Sequence, residues 1–138
     1  MRSRHLILAT AITTATTILY GCPDAPIRDT VTLQQESGGG YTLSGPHDLT
    51  GTLTKADQDA DWVLEGSIFF PTTGYTLLQP EIAIAESYPE QVFIDFRIRT
   101  PASGATVAQI ITEASFRHTI SASEEATFSA EVITLTAQ

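Results

Sequence analysis

Asp57-x-Asp59-x-Asp61 sets three carboxylates at alternate positions. Alternate acidic oxygens that converge on one point are what a hard cation such as calcium requires. The pattern then breaks. Trp62 stands where an EF-hand loop turns on Gly, and Ile68 where that loop ends on a bidentate Glu. The spacing therefore predicts an acidic, solvated turn. The histidines carry no clearer chemistry. His5 lies in an apolar leader, His47 in the turn-forming run Ser44-Gly45-Pro46-His47-Asp48, and His118 shares one strand face with Phe116 and Ile120. No serine sits in a nucleophile elbow, and no zinc spacing, glycine-rich phosphate loop or glycosidase-like signature is visible. A lone carboxylate pair drawn from the sixteen acidic residues is the one catalytic device such a pattern can hide. The expectation is a non-enzyme without metal or cofactor.

Cys22 is the one cysteine and has no partner for a disulfide within the chain. It follows a positive start, Arg2 and Arg4, and the mostly apolar run Leu6–Tyr20, which is too short and too rich in threonine for a membrane span. A positive start, a short apolar run and a small residue before the cut make a signal peptide. Leu19-Tyr20-Gly21-Cys22 resembles the lipobox of bacterial lipoproteins, with Tyr20 in place of the usual small or aliphatic residue. That resemblance implies that residues 1–21 are removed and that Cys22 becomes the acylated first residue, anchoring the chain in a bacterial cell envelope. Residues 22–29 are then expected to be a tether, and residues 30–138 a single β domain.

Seven basic residues against sixteen acidic ones give a net charge of −9, and losing Arg2 and Arg4 makes it −11. Such a surface repels phosphate backbones and anionic headgroups, which excludes nucleic acid as a partner class. The lipid on Cys22 is left as the membrane contact.

Gln91–Arg99 gives the clearest structural signal. Val92, Ile94, Phe96 and Ile98 alternate with Gln91, Asp95, Arg97 and Arg99, and only Phe93 breaks the pattern. Period-two alternation marks a strand with one face in a core. Further short strands are expected over Thr30–Gln35, Tyr41–Leu43, Leu49–Thr54, Trp62–Phe70, Tyr75–Leu78, Glu81–Glu86 and Ala126–Thr136. Ala105–Ser115 has helical spacing at Val107, Ile110, Ile111 and Ala114. Its adjacent β-branched residues and strand neighbours nonetheless predict extended chain. The sum is an all-β fold, an antiparallel sandwich or small barrel of seven to nine short strands. Gly40–Pro46 and Gly74–Pro80 share the pattern GYTL-x-x-P, a coincidence of similar turns with unmatched flanks.

Phe70-Pro71-Thr72-Thr73-Gly74-Tyr75 is the most distinctive turn. Pro fixes one backbone angle, Gly permits a positive one, and two threonines supply hydroxyls. A stiff loop on a β scaffold loses little entropy on docking. Pro71–Tyr75 resembles the PTTGY loop of chagasin-type inhibitors of cysteine peptidases, immunoglobulin-like sandwiches that insert this loop into a peptidase cleft. Their glycine-rich second loop and Arg-Pro-Trp third loop have no counterpart here. Trp62–Ser121 is similar to the PrcB-like domain in its Thr-Gly-Tyr turn, its central strand, Pro101-Ala102-Ser103-Gly104 and Val107–Thr112. That family's turn usually carries a second glycine, where this chain has Thr73 before Gly74. The resemblance implies a lipoprotein that associates with and stabilises a surface protease complex.

The reading is therefore a lipid-anchored protein whose Pro71, Thr72, Thr73, Gly74 and Tyr75 bind a peptidase or another envelope protein. The alternative is a small-ligand-binding or hydrolytic β-sandwich lipoprotein with its site in a cleft.

Overall fold

The computed structural model describes residues 25–57 and 59–137. Cys22 and the leader lie outside these residues. Nine strands form among the described residues: β1 (Ile27–Gln35), β2 (Tyr41–Gly45), β3 (Leu49–Lys55), β4 (Trp62–Phe70), β5 (Thr76–Leu77), β6 (Glu81–Ala85), β7 (Gln91–Arg99), β8 (Thr112–Ile120) and β9 (Thr127–Leu135). They follow one another in the order β5-β7-β9-β1-β2-β3-β4-β8, with β6 also on β7. β1 belongs to two sheets. Its first half, Ile27–Val31, pairs with β9, and its second half, Thr32–Gln35, pairs with β2. The result is a nearly closed, barrel-like sandwich whose open seam lies between β8 and the β5–β6 edge.

The expected alternation on Gln91–Arg99 holds. Val92, Ile94, Phe96 and Ile98 are at most 1% exposed, whereas Phe93 points outward and is 42% exposed. Burial of a side chain such as Phe96 or Ile94 contributes about 1.5–3 kcal/mol. Opposite them, β4 turns Trp62, Leu64, Ile68 and Phe70 inward, and β9 contributes Ala130 and Val132. Phe116 of β8 meets Phe96 across the core with ring centroids 4.8 Å apart. Its seat is made by two glycines. Gly51 and Gly66 pair across β3 and β4, and a Cβ on Gly66 would lie 2.8 Å from the Phe116 ring and 2.1 Å from the Thr50 carbonyl oxygen.

Three expectations need correction. The sheet is mixed, because β7 and β9 run parallel over Gln91–Arg99 and Thr127–Leu135. The chain leaves β7, crosses to the opposite sheet for β8 and crosses back for β9. Two reversals restore the original direction. Ile27–Asp29, expected to belong to a tether, are already strand and pair with Thr134–Val132. A ladder with β9 and an Arg28–Glu131 ion pair of 2.9 Å hold a stretch whose own pattern is weak.

The third correction concerns Ala105–Ser115, which is not one strand. Residues 105–111 form no ladder, and β8 begins only at Thr112. Thr112 pairs with Phe70, the last residue of β4, and Pro71 then has no N–H to extend the ladder. Extended propensity without a partner strand remains loop.

Candidate functional site

Pro71–Tyr75 lies at one end of the sandwich, between the end of β4 and the start of β5. The 101–111 segment runs beside it as a strap. Thr73 N donates to the Ala108 carbonyl at 3.0 Å, and Ala108 N donates to Thr73 Oγ1 at 2.8 Å. Thr112 Oγ1 donates to the Thr72 carbonyl at 3.4 Å, and Thr72 Oγ1 to the Thr73 carbonyl at 3.1 Å. Gly74 has φ +93°, in the left-handed region, and a Cβ there would sit 3.1 Å from Pro101 and 3.2 Å from Val107. Glycine is required for both reasons. Tyr75 stacks on Phe70 with centroids 4.9 Å apart and planes at 5°. His47, in the neighbouring turn, packs against both rings at 5.8 and 6.2 Å.

The five predicted residues are thus contiguous and held on both flanks, though not equally available. Pro71 and Gly74 are exposed, while Thr72, Thr73 and Tyr75 are half-buried. The threonine hydroxyls, expected to be free for a partner, are engaged within the chain. Thr73 is a structural clamp. The exposed apolar surface at this end comes instead from Ile110 and Ile111, 60% and 73% exposed. Ile111 and Pro71 border a concavity of about 250 Å³ together with His47 and Phe69. The sequence signal for this patch is the Ile110-Ile111 pair, whose β-branched side chains predict extended chain over Ala105–Ser115.

The opposite end holds the acidic loops. Asp59 N donates to Asp57 Oδ1 at 2.9 Å, closing an ordinary Asx turn. Among the described residues, no group of three or more His, Cys, Asp or Glu side chains is arranged to hold a metal ion. Tyr88, 90% exposed, donates to Glu125 Oε2 at 3.0 Å, and that bond to a carboxylate raises its phenol above the ordinary tyrosine range. The two copies of GYTL also part here. Tyr41–Leu43 is strand within β2, whereas Gly74-Tyr75 belongs to the turn.

A carboxylate row does emerge on the outer face of the β6–β7–β9 sheet. Glu81 lies opposite Asp95, and Asp95 opposite Glu131. No spacing in the sequence reveals it, because the three residues meet only through strand pairing. Arg97 pairs with Glu81 at 3.1 Å, and Arg28 with Glu131. Asp95 and Glu131 border an open concavity of about 430 Å³ with Phe93, Thr30 and Ser129. Two carboxylates, two hydroxyls and an exposed ring can hydrogen-bond and stack a small polar ligand.

No family model matches the chain, and neither the curated proteins nor the solved structures yield a match. The resemblances to the chagasin-type and PrcB-like families rest on their motif residues alone.

Proposed function

We propose that this chain is a lipid-anchored, non-enzymatic protein of a bacterial envelope that binds a protein partner through the loop end carrying Pro71–Tyr75. The partner class is a peptidase, which the chain stabilises or inhibits. One observation carries the reading: the turn is clamped on both sides by the Thr73–Ala108 hydrogen-bond pair and by Gly74 packed against Pro101 and Val107. A preorganised turn beside exposed apolar side chains docks without a large loss of entropy. The anchor follows from the leader and Gly21-Cys22, and the peptidase from the PTTGY turn and the PrcB-like stretch.

The test is affinity capture from detergent-solubilised envelopes, with captured proteins identified and assayed for peptidase activity. Pro71→Glu places a charge on an exposed residue and is expected to weaken capture roughly tenfold, about 1.4 kcal/mol. Ser37→Glu, in the loop at the far end, should leave capture intact. Capture lost with Ser37→Glu and kept with Pro71→Glu moves the site to the far end and refutes the assignment.

The concavity over Asp95 and Glu131 favours a second reading, a small polar ligand on the outer sheet face. Phe93→Ala and Asp95→Asn would then abolish ligand-induced changes in the Thr30 and Ser129 resonances, with protein capture unaffected.

A further inference from the structure

β8 is the end of the sheet. It pairs along Thr112–Ile120 with β4 and with no other strand among the described residues, so its outer row of N–H and C=O groups faces outward. Edge strands of this kind are normally blunted by lysine, proline or a bulge. β8 has nine residues, TEASFRHTI, with neither Lys nor Pro, and a continuous register against β4. An open groove of about 210 Å³ separates Ser115–His118 from Leu77–Pro80, leaving the edge approachable.

The residues on this edge are complementary to themselves. We propose that two copies of the chain pair antiparallel through β8, with the two-fold axis at Ser115. In that register Glu113 lies opposite Arg117 of the second copy, and Arg117 opposite Glu113. Ser115 lies opposite Ser115, Ala114 opposite Phe116, and Thr112 opposite His118.

Other registers do worse. A two-fold axis perpendicular to the sheet keeps the core faces of both copies on one side, which requires a residue, not a bond, at the centre. Centring on Phe116 sets Glu113 against Thr119 and Arg117 against Ser115. Centring on Ala114 sets Glu113 against Ser115 and Arg117 against Ile111. Only the Ser115 register matches both charges, and opposite-charge pairs directly across strands are stabilising. Glu113, Ser115, Arg117 and Thr119 are all exposed on the outer face, so their pairing needs no rearrangement. The strip 110–120 carries one acidic and one basic residue, whereas the whole chain carries −9. It is therefore a place where two otherwise repelling copies can approach. The interface is isologous and closes as a dimer, with no free β8 edge to recruit a third chain.

Cysteine cross-linking of the full-length chain in mild detergent, in a Cys22→Ser background, tests the register. Ser115→Cys faces its own copy at about 4.5–5.5 Å between Cα atoms, within the reach of a disulfide. It is expected to oxidise to a covalent dimer. Glu113→Cys alone should not, because its copy lies about 13 Å away along the strand. Glu113→Cys with Arg117→Cys should cross-link again. Sedimentation of the wild-type chain should show reversible association. Glu113→Arg should weaken it roughly tenfold, and adding Arg117→Glu should restore it. Circular dichroism of each variant confirms folding. Ser115→Cys cross-linking no better than Thr52→Cys, on the exposed face of β3 in mid-sheet, overturns the proposal. So does a wild-type chain that stays monomeric to about 0.5 mM, or a charge swap that fails to restore association.

Discussion

Thr73 offers the sharpest test of how the loop end is built. Its hydroxyl accepts from Ala108 N at 2.8 Å, while its own amide donates back to the Ala108 carbonyl at 3.0 Å. Thr73→Ala removes the first bond and leaves the second. Ala108 is exposed, so water can take over its freed N–H, and the full penalty of a buried orphan donor does not apply. The loss is then the net worth of one hydrogen bond, about 1 kcal/mol. For a domain of this size that lowers the melting temperature by roughly 4 °C. Thr73→Ser keeps the hydroxyl and should stay within about 0.5 kcal/mol of wild type. Denaturant titration should show a lower midpoint with an unchanged slope, as expected when stability alone changes. Amide exchange gives the local readout: Ala108 N–H should exchange about fivefold faster in Thr73→Ala and at the wild-type rate in Thr73→Ser. Equal exchange in all three proteins would refute the clamp. A Ser variant as damaged as the Ala variant would show that the methyl group, not the hydroxyl, matters.

Phe96→Ala should lose about 3–5 kcal/mol in denaturant titrations, whereas Asp95→Ala, on the other face of β7, should lose about 0.5 kcal/mol or less. Equal losses would mean that the two faces are exchanged. Gly66→Ala forces a methyl group against the Thr50 carbonyl and the Phe116 ring and should lose about 3 kcal/mol, and a melting temperature at the wild-type value would contradict that packing. Gly74→Val should destabilise the fold through its positive φ and its contact with Pro101, which makes it a poor probe of partner binding. Cys22→Ser should move the protein from the membrane to the soluble fraction, and a variant that still fractionates with membranes would argue against the lipid anchor.

The sequence by itself determined the all-β class and the inward face of the strongest strand. Val92, Ile94, Phe96 and Ile98 alternate so cleanly that only one register buries them, and proline and glycine mark where the neighbouring strands end. It also singled out Pro71–Tyr75, because Pro and Gly declare their backbone angles locally. Pairing was the part it could not express. The parallel match of β7 with β9 depends on two crossings between sheets, and the early start of β1 depends on a ladder to β9, a strand about a hundred positions away. The same limit hid the row Glu81–Asp95–Glu131 and the clamp between Thr73 and Ala108, whose members are distant in the chain. Residues 105–111 show the converse. Their β-branched side chains favour extension, but a strand needs a neighbour, and Pro71 removes the one on β4. Local preference chose the backbone shape, and tertiary contact decided which of those shapes became sheet.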